Sequence, residues 1–270
     1  MNSIKNKVVV ITGAGSGIGR ALAVLLASYG AKLALNSRTS ENLKETVSLL
    51  NIPEEHLLSR TFDISNKEAV FSFAKQVNDY FGTVDVLINN AGVAITGLTF
   101  EELELEDFDW IFSVNFMGVV ITSKAFLPLL RKNTNKTALV NISSVFGLVP
   151  MALKTPYCST KYAVAGFTDA LRMELDSTAI NVIGVYPGGV KTGVTLNALK
   201  AEREPEYTMD FNKNLKMEPE KAAQIILAGI LKGKEKIIVG SDAKKAIFAH
   251  RHLPFILKNL ARKTMLKFKN

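Results

Sequence analysis

From residue 8 to residue 239, short apolar runs of strand length alternate with amphipathic stretches of helix length, and few folds accept that rhythm. Val8-Val9-Val10-Ile11 is apolar at every position, as a strand covered on both faces must be; a strand with one wet face would alternate. Strands separated by helices pair in parallel through crossovers, which lay helices over both faces of the sheet. The pattern predicts strands over 8–12, 32–36, 57–62, 84–88, 137–142, 181–186 and 236–239. Helices are expected over 18–29, 41–50, 67–81, 107–130, 156–175 and 219–231. The fold class is therefore α/β: a single-domain, doubly wound parallel sheet of about seven strands with helices on both faces. Residues 191–218 are charged and weakly periodic, the expected place for a substrate loop.

A chain of 270 residues can bury a large core, and no linker or low-complexity tract divides it, so the domain is read as 1–242. Residues 243–270 are a basic amphipathic extension with eight Lys and Arg and no acid. The net charge of +8 lies wholly there, since bases and acids balance over 1–242. A terminal basic segment does not make a nucleic-acid binder. With its apolar residues, and Pro254 between two short helices, it fits an anionic membrane surface, an acidic partner, or packing over the body. One cysteine, Cys158, and an opening without a signal-peptide pattern point to a cytoplasmic location, with peripheral membrane association through the extension.

The first strand runs into Thr12-Gly13-Ala14-Gly15-Ser16-Gly17-Ile18-Gly19 immediately before a helix. Glycines allow a tight turn and close backbone approach, and a helix N-terminus offers free N–H groups to a pyrophosphate. The common GxGxxG spacing fails from Gly13, because its sixth position is Ile18. TGxxxGxG is present instead, and with it the chain resembles the short-chain dehydrogenase/reductase family, whose fold is of the Rossmann type.

That resemblance implies a nicotinamide cofactor contacted by Gly13, Ser16, Gly17, Ile18 and Gly19. It extends to Asp63-Ile64 after the third strand, where an aspartate meets the adenine, and to Asn89-Asn90-Ala91-Gly92 after the fourth. There Asn89 supports the sheet and the sugar, while Ala91 and Gly92 admit the cofactor's backbone approach. Pro187-Gly188-Gly189-Val190-Lys191-Thr192 matches the element in which Pro187 and Gly188 turn the chain and Val190 and Thr192 hold the carboxamide. After the second strand, Asn36-Ser37-Arg38 offers no carboxylate for a ribose diol. Arg38 can pair with a 2′-phosphate and Ser37 can add a hydrogen bond, so NADP is expected over NAD.

Tyr157 and Lys161 form a YxxxK pair, and four residues on a helix place them on one face. Ser144 lies thirteen residues before Tyr157, and Asn115 interrupts an apolar helical stretch. In the family these are the catalytic tetrad: Ser144 polarises the substrate oxygen, Tyr157 is the general acid/base, and Lys161 and Asn115 link it to solvent. A phenol titrates near pH ~10, and a neighbouring ammonium and the nicotinamide charge are expected to lower it. The implied activity is hydride transfer to or from a carbonyl or secondary alcohol, apolar or lipid-like, in a homo-oligomer. The alternative is a non-catalytic NADP-binding or scaffolding protein on the same fold. A serine hydrolase lacks its GxSxG elbow at Ser144, and His250 and His252 lack companions for a metal site.

Overall fold

A computed structural model describes residues 1, 3–95, 97–192, 209, 213 and 215–268. The strands are β1 (Val8–Ile11), β2 (Lys32–Ser37), β3 (Leu57–Thr61), β4 (Val86–Asn89), β5 (Thr137–Ile142), β6 (Ile180–Pro187) and β7 (Lys236–Val239). They form one sheet in the order β3-β2-β1-β4-β5-β6-β7, parallel throughout. Strand order reverses between β1 and β4, which are hydrogen-bonded neighbours, and such a sheet opens its ligand crevice at that switch point.

Successive side chains of β1 serve opposite faces. Val9 and Ile11 pack under α1 (Gly17–Ser28), through Leu22 and Leu26, and under α7 (Pro219–Leu231), through Ile226 and Ile230. Val8 and Val10 pack on the other side against Val70, Phe73 and Val77 of α3 (Lys67–Phe81) and Phe126 and Leu130 of α5 (Gly118–Lys132). The short α2 (Ser40–Ser48) lies beside β2, and α6 (Thr155–Glu174) packs against β6. This is the doubly wound architecture read from the apolar runs.

Two features differ from the expected elements. The strand predicted from residue 84 begins at Val86, because Asp85 turns its carboxylate inward to accept from the Val8 amide at 2.9 Å, Lys7 at 2.9 Å and Asn133 at 2.8 Å. The single helix expected over 107–130 is α4 (Leu105–Phe112) and α5, joined by a π-helical turn at Ser113–Met117 that carries Asn115. Inserted turns of this kind are frequent at functional sites.

The extension contains two helices, α8 (Ser241–His252) and α9 (Pro254–Phe268), parted where Pro254 lacks an N–H to continue the first. The boundary at 242 falls inside α8, and that helix packs into the body: Ala243 is buried against Val145 and Val149, with Ala246 and Ile247 beside it. By contrast α9 meets α8 and leaves Phe255, Ile256, Leu260 and Leu266 exposed. Most of the expected substrate loop, 193–208 with 210–212 and 214, lies outside the described residues. Its two ends run side by side, the Lys191 amide donating to the Met217 carbonyl at 2.8 Å.

Candidate active site

One cavity of about 510 Å³ runs along the C-terminal ends of the strands, a size ordinary for small-molecule sites. At one end is the glycine loop. Gly13 has φ 65°, and a Cβ there would stand 2.7 Å from the Ala91 Cα, so only glycine lets this loop lie against the end of β4. The N-terminus of α1 opens toward the cavity behind Ser16, which is extended and makes no side-chain cap, and the first turn holds no acid. Its free N–H groups therefore fit an anion. Gly13, Ser16, Gly17 and Ile18 line the cavity. Gly19 does not; it is a packing glycine whose Cβ would fall 2.3 Å from the Gly13 carbonyl oxygen.

Ser37, Arg38, Asp63 and Ile64 line the wall beside the loop, with Arg38 exposed. Asp63 also accepts from the Ser65 amide at 2.9 Å and the Ser65 hydroxyl at 2.7 Å, which closes the turn after β3. At the end of β4, Ala91 and Gly92 line the cavity and Asn89 does not. Asn89 supports the sheet as expected, buried and donating to Ser123 at 3.0 Å and Asn141 at 2.8 Å. The next residue takes the cavity position. Asn90 donates to the carbonyls of Thr12 and Gly13, both at 3.0 Å, and Thr12 accepts from the Asn90 and Ala91 amides. Asn90 and Thr12 thus join β4 to the glycine loop, a role visible only once the two strands are neighbours. Across the crevice, Pro187, Gly188, Val190 and Thr192 line the wall, and the Thr192 methyl closes against Gly17.

At the other end, Ser144, Tyr157 and Lys161 meet. The sheet delivers Ser144 at the end of β5, where its hydroxyl accepts from the Phe146 amide at 3.1 Å. Helix α6 presents Tyr157 and Lys161 on one face, the ammonium 5.6 Å from the phenol ring centroid. Lys161 is buried and donates to the Ile142 carbonyl at 3.2 Å; burial pushes it down to about 8. Tyr157 is partly buried and lines the cavity. Burial pushes the phenol up to about 12, opposed by its hydrogen bond with Ser144. Burial is the largest influence the protein itself places on the phenol, and it is opposite in sign to the lowering expected of the ammonium and the nicotinamide charge together. Asn115 is brought near but is spoken for: it accepts from the Val93 amide at 2.8 Å and donates to the Val93 carbonyl at 2.9 Å and Thr160 at 3.2 Å. It fixes the backbone beside Gly92, where a Cβ would meet both Asn115 and Lys161 within 3.4 Å.

The sequence profile of the short chain dehydrogenase family matches residues 7–203. The chain belongs to that family. Among similar proteins, SadH of Mycobacterium tuberculosis is 42% identical over 249 residues, covering 90% of each chain. Dehydrogenase/reductase SDR family member 7B of Xenopus tropicalis is 33% identical over 262 residues, 94% of this chain and 84% of that one. The structure of a short-chain dehydrogenase/reductase from Burkholderia phymatum in complex with NAD superimposes with a TM-score of 0.85 at 28% identity, covering 96% of each chain. A short-chain dehydrogenase from Burkholderia cenocepacia in complex with NADP shares the fold, with a TM-score of 0.78 at 24% identity over 96% of this chain and 98% of that one. As a short-chain dehydrogenase the protein has the family's sheet and cavity, and the lining also contains a residue the motifs did not flag: Lys154, buried beside Tyr157.

Proposed function

We propose that this short-chain dehydrogenase is an NADP(H)-dependent oxidoreductase that transfers hydride between the nicotinamide and a carbonyl or secondary alcohol, with Tyr157 as general acid/base. One observation carries the reading: Ser144, Tyr157 and Lys161 line the same cavity as the uncapped N-terminus of α1 and Arg38. The glycine loop would hold the dinucleotide's pyrophosphate, and Arg38 with Ser37 its 2′-phosphate. A nicotinamide dinucleotide bound along the cavity supplies or accepts the hydride. The residues do the rest. Ser144 orients the substrate oxygen, and Tyr157 gives it a proton in reduction and takes one back in oxidation. Lys161 keeps positive charge close to the phenol, and Asn115 holds the neighbouring backbone in place. The apolar wall of Val145, Phe146 and Ala246 supports an apolar or lipid-like substrate.

Further parts of the reading rest on exposed surface. Leu105, Met117, Tyr162 and Met173, exposed on the helical layer from α4 to α6, support a homo-oligomer built through that face. On α9, exposed Phe255, Ile256, Leu260 and Leu266 among basic residues support a cytoplasmic protein resting on an anionic membrane. The central test is NADPH oxidation with a panel of aldehydes and ketones, compared between wild type and Tyr157→Phe. Turnover lost in the variant, with NADPH binding intact, is expected; equal rates overturn the assignment. NADPH binding without turnover of any carbonyl would favour the non-catalytic reading.

A further inference from the structure

We propose that Asp242, the second residue of α8, is a positioning residue for hydride transfer. Its carboxylate holds the Gly188–Gly189 turn, and through it the wall of Val190 and Thr192, in the geometry the nicotinamide needs. The proposal rests on the oxidoreductase reading above and adds to it a residue that reading does not use. An acid in the first turn of a helix ordinarily does no more than complement the helix dipole. Asp242 does more: it lines the cavity, and its Oδ2 accepts from the Gly189 amide at 2.7 Å, 53 residues back along the chain. The backbone around it leaves room for that approach. A Cβ on Gly188 would fall on Asp242 Oδ2, one on Gly189 would stand 3.4 Å from the same atom, and one on Gly240 would fall on Oδ1. Gly240, immediately before α8, also has φ 106°, which a side chain would strain. Glycines on both sides of the contact therefore accommodate one carboxylate.

The contact matters because of what hangs on Gly189. The Gly188 amide donates to the Val239 carbonyl at 2.9 Å, which ties the turn to the end of β7. The Gly189 carbonyl accepts from the Met217 amide at 3.2 Å, and the Lys191 amide donates to the Met217 carbonyl at 2.8 Å. Asp242 supplies the remaining partner, that of the Gly189 N–H. Glycine has more conformational freedom to lose than any other residue, so a turn of two glycines keeps one shape only while its polar groups are tied. Val190 follows directly, buried and lining the cavity, and the Thr192 methyl closes against Gly17. A turn that loosens therefore moves the wall expected to hold the carboxamide, and a misplacement of about 1 Å is enough to slow a positioned reaction. Asp242 takes no part in the chemistry itself: hydride still passes between the nicotinamide and the carbonyl carbon, and the proton between Tyr157 and the oxygen.

Asp242→Ala removes the acceptor, and Asp242→Asn keeps one. Asp242→Ala is expected to lower kcat by about 10- to 100-fold while KM for NADPH stays within about 3-fold, and Asp242→Asn to recover most of the rate. With NADPH deuterated on one face of C4 or the other, wild type and Asp242→Asn should transfer from one face alone and Asp242→Ala from both, a readout that lost stability does not move. Gly188→Ala, which pushes a methyl group against the carboxylate, should resemble Asp242→Ala, and the double variant should be no worse than either alone. Without cofactor, backbone amide exchange over 188–192 should be faster by about 10-fold or more in Asp242→Ala than in wild type. Unchanged kcat or face selectivity in Asp242→Ala, an Asp242→Asn as impaired as Asp242→Ala, additive losses in the double variant, or unchanged exchange would each overturn the proposal. Absence of carbonyl turnover by wild type counts against the oxidoreductase reading instead, and the exchange measurement then decides Asp242 alone.

Discussion

The Ser143 hydroxyl donates to the Lys161 carbonyl at 2.8 Å, fastening the end of β5 to the helix that carries Tyr157. Two adjacent serines therefore divide their work. Ser143 holds the scaffold and Ser144 faces the phenol. Ser144→Ala should lower kcat by about 100-fold and leave cofactor affinity unchanged, the size of effect seen when one polarising donor is removed. Ser143→Ala should instead cost about 1 kcal/mol of stability in denaturant unfolding, with the smaller loss of rate.

Arg38 is the group on which cofactor choice turns. Arg38→Ala should raise KM for NADPH by about 10- to 100-fold, the worth of a charge-assisted contact, and leave KM for NADH nearly unchanged. Steady-state kinetics with both cofactors measure this, and equal effects on the two would remove the 2′-phosphate assignment.

Gly13 adopts φ 65° with the Ala91 backbone against it. Gly13→Ala must strain the loop or push β4 away, so unfolding free energy should fall by about 1–3 kcal/mol and dinucleotide binding should weaken. Gly82 also has positive φ, but nothing stands within 4 Å of its Cβ position, so Gly82→Ala should lose stability without losing binding.

The two buried lysines give stability a defined pH dependence. Folding lowers Lys154 to about 7 and Lys161 to about 8, each from 10.5, so between those values the unfolded chain binds more protons than the folded one. Their penalty is present in full below about 7 and is relieved as pH rises toward 10.5. Tyr157, raised from 10.0 to about 12, acts in the opposite sense, because above pH 10 the unfolded chain loses a proton that the folded one keeps. Thermal unfolding of wild type and Lys154→Met should show the variant's advantage greatest at pH 6 to 7 and shrinking toward pH ~10.

For the membrane proposal, removing everything after 242 would also strip the wall that Ala243 and Ala246 give the cavity. Charge reversal on α9 separates the roles. Lys258→Glu, Arg262→Glu and Lys263→Glu together should abolish flotation with anionic liposomes and leave carbonyl turnover in solution within about 2-fold, since exposed charges seldom matter to stability. Unchanged flotation would end the idea.

Much of the fold is legible in the sequence, because strand burial is written as uninterrupted apolar runs. The runs gave all seven strands, and Pro254 marked the division of the extension. The start of β4 is not legible in the sequence, since Asp85 satisfies its carboxylate through Val8, a partner 77 residues away. For the same reason the π-helical turn at Asn115 is not legible in the sequence: the partners of that side chain, Val93 and Thr160, lie 22 and 45 residues away.

The site divides along the same line. Spacing along a helix, or between a strand end and the next helix, is local, so the sequence already held Tyr157, Lys161, Ser144 and the glycine loop. Which of Asn89 and Asn90 faces the cavity depended on strand neighbours brought together across the sheet, and local spacing says nothing of them. Lys154 carries no signal in the sequence, because an isolated lysine is ordinarily solvated. Its burial is a property of the folded cavity that it lines. Residue order sets local geometry and apolar periodicity; charge in a cavity is set by what distant segments exclude, and water leaves only when they meet.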